Sequence, residues 1–169
     1  MSYLNINDKK LVSVVAELNQ LLAEYNVYYQ KLRSFHWNIL GNNFFDLHNK
    51  FEELYNDAKL KIDETAERIL TLRYHPVSRF GEYLKMAEIQ ETSAMITDTE
   101  MVDKIISDHQ IILLQMKRVI TKAEMAGDEG TLDMIGAYIG KLEKASWMLD
   151  AWNKNTEDQL KTTNMNKAS

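Results

Sequence analysis

The chain has 169 residues, 45% hydrophobic and 27% charged, with a net charge of −5 and no cysteine. That length supports one domain with a sizeable core, and the composition is that of a globular protein. The lack of cysteine excludes disulfides, thiolate metal sites and cysteine nucleophiles, while the acidic balance disfavours a basic nucleic-acid surface and suits a protein that attracts cations.

One proline and six glycines leave few places for turns, so long helices are favoured. In the first, apolar residues recur at helical spacing at Leu11, Val14, Val15, Leu18, Leu22, Tyr25, Tyr29 and Leu32. Asn7 or Asp8 can cap its start, and Gly41 with Asn42 makes a left-handed stop. A second helix is predicted from Phe44 to Arg73, with Phe44, Leu47, Phe51, Leu54, Ala58, Ile62, Ala66 and Ile69 on one stripe. The segment YHPVSRFGEYLKMAEIQETSAMIT holds the only proline and reads as a crossover with a short helix near Gly81 to Ala87. A third long helix begins near Asp98, carries Met101, Ile105, Ile112, Met116 and Val119, and stops at Gly127. The fourth follows GDEGT, with Thr131 as its cap, and runs to about Trp152.

The expected fold is all-α: a ferritin-like four-helix bundle with a long crossover carrying a short extra helix. It forms one domain over residues 1–169, with flexible tails at about 1–7 and 155–169. An up-down bundle is the alternative, opposed by the length of the second connection. The opening residues lack a signal-peptide pattern and no stretch is long and apolar enough to span a membrane, so a cytoplasmic location is expected.

Candidate ligands lie in the stretch FHWNILGNNFFDLHNKFEEL and just beyond it. On a helical wheel centred on His48, Glu52 lies at about 40°, Asp63 at about 60° and Glu67 at about 100°. All four project from one side, at the edge of the apolar stripe. Along the axis, His48 and Asp63 are roughly 22 Å apart, too far for one ion, whose ligands meet within about 2–2.5 Å of it. If two copies of the helix pack antiparallel about a two-fold axis, the first cluster of one chain faces the second cluster of the other, creating two identical sites. His36 joins from the end of the first helix, because the turn at Gly41 brings it back beside His48. The predicted set is His36, His48 and Glu52 from one subunit, with Asp63 and Glu67 from its partner. Imidazole with carboxylate suits iron, manganese or zinc. No glutamate lies three residues before any histidine, so the Glu-x-x-His pairs of an intra-bundle di-iron site are absent.

The stretch FHWNILGNNFFDLHNKFEELYNDAKLKIDETAERI resembles the signature of the Dps proteins, small twelve-subunit ferritins of starved or stressed bacteria. The match includes the His-Trp-Asn, the Phe-x-x-Leu-His and the Asp63 to Ile69 run. The resemblance implies a hollow dodecamer with di-iron ferroxidase sites at two-fold interfaces, where Fe(II) is oxidised, in many members with hydrogen peroxide, and ferric mineral is stored inside. It places the ligands on His36, His48, Glu52, Asp63 and Glu67, with glutamate at position 52 where many relatives have aspartate. It places Trp37 beside the site, where it packs or intercepts oxidising radicals. It also sets Asp128, Glu129 and Asp133 against the acidic lining of the family's three-fold pores, although acids also stabilise a helix N-terminus. Some members condense DNA through lysine-rich tails. Here Lys9 and Lys10 at one end, and Lys154, Lys161 and Lys167 at the other, are few, so DNA is possible but not favoured. A DNA-compacting role, and a structural zinc site joining the dimer, are the competing functions.

Overall fold

Residue 4 and residues 8–154 are described by a computed structural model of the chain. Its elements are α1 (Asp8–Asn38), α2 (Phe44–Thr71), α3 (Phe80–Met86), α4 (Asp98–Ala126) and α5 (Glu129–Asn153). The two predicted tails lie outside the described residues, apart from residue 4.

Contacts between helices fix their directions. On α1 and α4, Gln115 donates to Glu17, Tyr28 meets His109 and Lys31 meets Asp108, so one numbering climbs as the other falls. On α2 and α5, Asp57 pairs with Lys141, Glu64 accepts from Tyr138 and Arg68 reaches Thr131, again in opposite order. Short turns reverse the chain between α1 and α2 and between α4 and α5. It follows that α2 and α4 run parallel, and their connection must travel the length of the bundle. A 29-residue helix is about 43 Å long. This is the reason for the long second connection, and it excludes the up-down alternative.

The crossover is tied along α1. Val77 N donates to Asn19 Oδ1 at 2.8 Å, Gln20 Nε2 to the Met86 carbonyl at 2.8 Å, and Glu24 accepts from both Glu88 N (2.8 Å) and Ile89 N (3.0 Å). Glu24 is buried, and these donors satisfy its charge. Covered by α2, α4 and the crossover with α3, the middle of α1 is buried all round: Leu21, Leu22, Ala23, Glu24 and Tyr25 are consecutive and all inside. A single apolar stripe understates that burial.

Two helix ends differ from expectation. The cap of α5 is Asp128, whose carboxylate accepts from Thr131 N at 3.2 Å; Thr131 lies inside the first turn and gives its hydroxyl to Asp128 Oδ2 at 2.6 Å. A carboxylate outcompetes a hydroxyl for the positive end of the helix. The second helix stops at Thr71, two residues early, where Arg73 takes a left-handed φ of 71°. Gly127 (φ 69°) ends α4 as expected. Its start is a capping box of Thr97 and Glu100, a Thr-x-x-Glu signal present in the sequence.

Candidate metal centre

Five residues, 39–43, separate α1 from α2. Gly41 adopts φ +102°, a conformation that costs a glycine little, and the Phe44 amide donates back to its carbonyl at 3.2 Å. That turn lays the last turn of α1 against the first turns of α2 and stacks His36 on His48, with ring centroids 3.7 Å apart and planes 23° from parallel.

The two histidines bind each other's backbone. His36 Nδ1 lies 2.8 Å from the His48 carbonyl oxygen, and His48 Nδ1 lies 2.9 Å from the His36 carbonyl oxygen. A carbonyl only accepts, so each Nδ1 carries the proton and donates it. In the neutral ring each Nε2 then keeps its lone pair, the form in which imidazole ligates a metal. His36 is 9% exposed and His48 half-buried, so both rings are held while solvent still reaches the cluster. Phe44 also stacks on His48, with centroids 4.9 Å apart.

Glu52 stands one turn beyond His48, exposed. It accepts a hydrogen bond from the Tyr55 hydroxyl at 3.3 Å. The Tyr55 ring meets His36 edge-on at 5.3 Å and Tyr29 edge-on at 6.0 Å. Partial burial, then the Glu52 carboxylate, raise the Tyr55 pKa, so it stays a phenol. The sequence reading missed Tyr55; its position three residues after Glu52, on the same helix face, is the signal that would have found it.

Asp63 and Glu67 are exposed farther along α2, and no hydrogen bond or ion pair among the described residues uses their carboxylates. Among those residues no three metal-ligating side chains of one chain converge on an ion. The histidine cluster and the acidic pair are separate in the single subunit, as the axial spacing requires.

Trp37 is 57% exposed at the end of α1. The Arg33 guanidinium lies over its ring at 4.8 Å and over the Tyr29 ring at 5.2 Å. Asp128, in contrast with Glu129 and Asp133, is fully buried: besides capping α5 it forms an ion pair with Arg68. Its charge is spent inside the subunit, so of these three acids only Glu129 and Asp133 are exposed. Of the tail lysines, Lys154 is 3.8 Å from Asp150, and Lys9 and Lys10 lie on the exposed start of α1; Lys161 and Lys167 lie outside the described residues.

Among the described residues the bundle interior holds no group of three metal-ligating side chains. Tyr28 donates to His109 Nε2 (2.7 Å), His109 Nδ1 to Ser146 Oγ (2.7 Å), and Ser146 to the Leu142 carbonyl (2.8 Å), a chain in one direction that keeps His109 neutral. Burial pushes the His109 pKa down to about 3. Beside it, Lys31 and Asp108 form a buried ion pair at 2.7 Å, and burial, only partly offset by Lys31, pushes Asp108 up to about 6. An internal ammonium and a spent imidazole leave no ligand set there.

The family model of the ferritin-like domain matches residues 15–158. The chain is 41% identical over 147 residues to the DNA protection during starvation protein of Porphyromonas gingivalis, covering 87% of this chain and 92% of that protein. It is 40% identical over 139 residues to DNA protection during starvation protein 2 of Bacillus anthracis, covering 82% and 95%. The fold superposes on the crystal structure of a Dps protein from Vibrio cholerae O1 with a TM-score of 0.88 and 42% identity, covering 91% of this chain and 98% of that one. That protein is described as a member of a broad superfamily of ferritin-like diiron-carboxylate proteins.

Proposed function

The chain belongs to the Dps proteins of the ferritin-like family, and on that premise we propose that it oxidises Fe(II) with hydrogen peroxide at sites shared between subunits and stores the ferric product inside a shell. The observation that carries the reading is the reciprocal histidine clamp. It occupies both Nδ1 atoms and turns two Nε2 atoms away from the clamp, one turn of helix from the Glu52 carboxylate.

Each site takes His36, His48 and Glu52 from one subunit and Asp63 and Glu67 from a second copy, as the 15-residue spacing on α2 demands. Twelve subunits built from such two-fold pairs make the shell. The carboxylates attract Fe(II) and favour the ferric state, because each added negative charge stabilises the ion of higher charge. The clamped imidazoles give neutral donors whose orientation is fixed in advance, which limits the reorganisation needed as the ion is oxidised. Two Fe(II) ions and one hydrogen peroxide, with two protons, give two Fe(III) ions and two waters, so the overall stoichiometry releases no hydroxyl radical. Zinc or manganese compete for the same donors. Glu129 and Asp133 draw cations toward an entry pore.

Anaerobic loading with Fe(II) followed by hydrogen peroxide, read by ferric absorbance, tests this. The native protein oxidises fast, His36→Ala and Asp63→Asn slowly, and a mixture refolded from the two variants recovers part of the rate, since some interfaces carry two intact halves. Equal rates in all four samples would overturn the site. The names of the relatives speak of DNA protection. Oxidation of iron by peroxide protects DNA chemically without contact, and the net charge of −5 favours that route. Retardation of DNA by the shell at low salt, lost as salt rises, would instead show binding.

A further inference from the structure

We propose that Tyr55 is a redox-active residue of this site, supplying the second electron to peroxide when only one iron is present. The proposal rests on the reading above. It starts from one placement: Tyr55 touches a ligand imidazole and a ligand carboxylate together, its ring edge-on to His36 at 5.3 Å and its hydroxyl donating to Glu52 at 3.3 Å.

A site holding one Fe(II) faces a stoichiometric problem. Fe(II) and hydrogen peroxide give Fe(III), hydroxide and hydroxyl radical, since one ion provides only one of the two electrons required. Tyr55 is placed to provide the other. Its O–H bond breaks, the electron reduces the hydroxyl radical to hydroxide, and the proton passes along the existing hydrogen bond to Glu52 Oε1 and then to that hydroxide, giving water and a neutral tyrosyl radical. The next Fe(II) returns an electron, and a proton from solvent restores the phenol. Summed, two Fe(II) and one peroxide are consumed, as in the paired reaction, without two irons bound at once.

The surroundings keep the radical there. Beyond Tyr55 lies Tyr29 at 6.0 Å, and the Arg33 guanidinium sits over the rings of both Tyr29 and Trp37. A fixed cation over a ring makes it harder to remove an electron from that ring. Arg33 therefore opposes escape of the hole from Tyr55 toward the exposed indole of Trp37.

Freeze-quenched samples of the full-length protein, loaded with Fe(II) below one per site and mixed with peroxide, decide the matter by EPR. Native protein should give a tyrosyl signal that disappears on further Fe(II), and ring-deuterated tyrosine should narrow it. Tyr55→Phe should lose that signal and raise spin-trapped hydroxyl radical several-fold, with its Co(II) absorption spectrum unchanged. Arg33→Gln should move the signal toward a tryptophan radical. A tyrosyl signal that survives Tyr55→Phe, or no rise in trapped radical in that variant, would overturn the proposal while leaving the site intact. An altered Co(II) spectrum in Tyr55→Phe would reduce Tyr55 to a positioning residue and overturn the redox role. Failure of the native protein to oxidise iron at all would instead overturn the site.

Discussion

His36 and His48 each donate a ring proton to the other's backbone carbonyl, at 2.8 and 2.9 Å, across a five-residue turn. The pair is thus a structural lock and, on the proposed function, a ligand set at once, so removal of one ring should loosen the other. His36→Ala should lower Co(II) affinity by about 10–100-fold or more, beyond the loss of one ligand, because the His48 ring loses the imidazole stacked on it and the His48 carbonyl loses its donor, although His48 Nδ1 keeps its acceptor in the backbone carbonyl of residue 36. His36→Gln, whose amide can still donate to the His48 carbonyl, should keep part of that affinity. Titration by Co(II) absorbance separates the two; equal losses would mean that the clamp contributes nothing to binding.

Asp128 and its neighbours Glu129 and Asp133 differ in where their charge goes. Asp128→Asn should cost about 1–3 kcal/mol, since the α5 cap weakens and the half-buried Arg68 loses its counter-ion. Gly130→Ala should be destabilising through the same contact, because a Cβ there would stand 2.9 Å from Arg68 Nη2. Glu129→Gln and Asp133→Asn should stay within about 0.5 kcal/mol in stability and slow iron entry instead. Urea unfolding and the initial rate of iron uptake give the two readouts. Slow uptake in Asp128→Asn with native stability would reverse this division.

The helix plan and the long crossover were legible because both rest on local periodicity and connection length. The turn at Gly41 and the stop at Gly127 were legible for a similar reason, since a left-handed residue is marked by glycine. Thr131 was mistaken for a cap because a hydroxyl and a carboxylate three residues apart both qualify, and only the ion pair with Arg68, sixty residues away in sequence, chooses between them. The face shared by His48, Glu52, Asp63 and Glu67 follows from counting along a single helix. The histidine clamp does not, since its bonds run to backbone carbonyls that carry no sequence mark. Tyr55 is one of eight tyrosines, and only its contacts with His36 and Glu52 set it apart.

Glu24 holds the crossover to α1 by accepting two consecutive amides, from Glu88 and Ile89, with Gln20 as third donor at 2.6 Å. Glu24→Ala should cost about 2–4 kcal/mol, because the buried Ile89 N–H and the partly buried Glu88 N–H lose their acceptor. Amide exchange should accelerate first at Glu88 and Ile89, ahead of the rest of the bundle. Uniform acceleration over all helices would show that the crossover unfolds only with the whole domain.

Asp108 and His109 are adjacent and oppose each other in acid. The His109 pKa is depressed from 6.5 to about 3, so the unfolded chain takes up that proton first, and its contribution to stability is lost as pH falls from about 6.5 toward 3. The Asp108 pKa is raised from 3.8 to about 6, so the folded protein takes up that proton first, and its contribution grows as pH falls from about 6 to 4. Between about pH 6 and 4 the two nearly cancel. The stability of the native protein relative to His109→Gln should therefore shrink on acidification through that window, while its stability relative to Asp108→Asn should rise. Urea unfolding of the three proteins at pH 6.5, 5 and 4 reads both differences. Parallel trends in the two variants would show that the protons go elsewhere, with Lys31 and Asp108 staying a fully charged pair throughout.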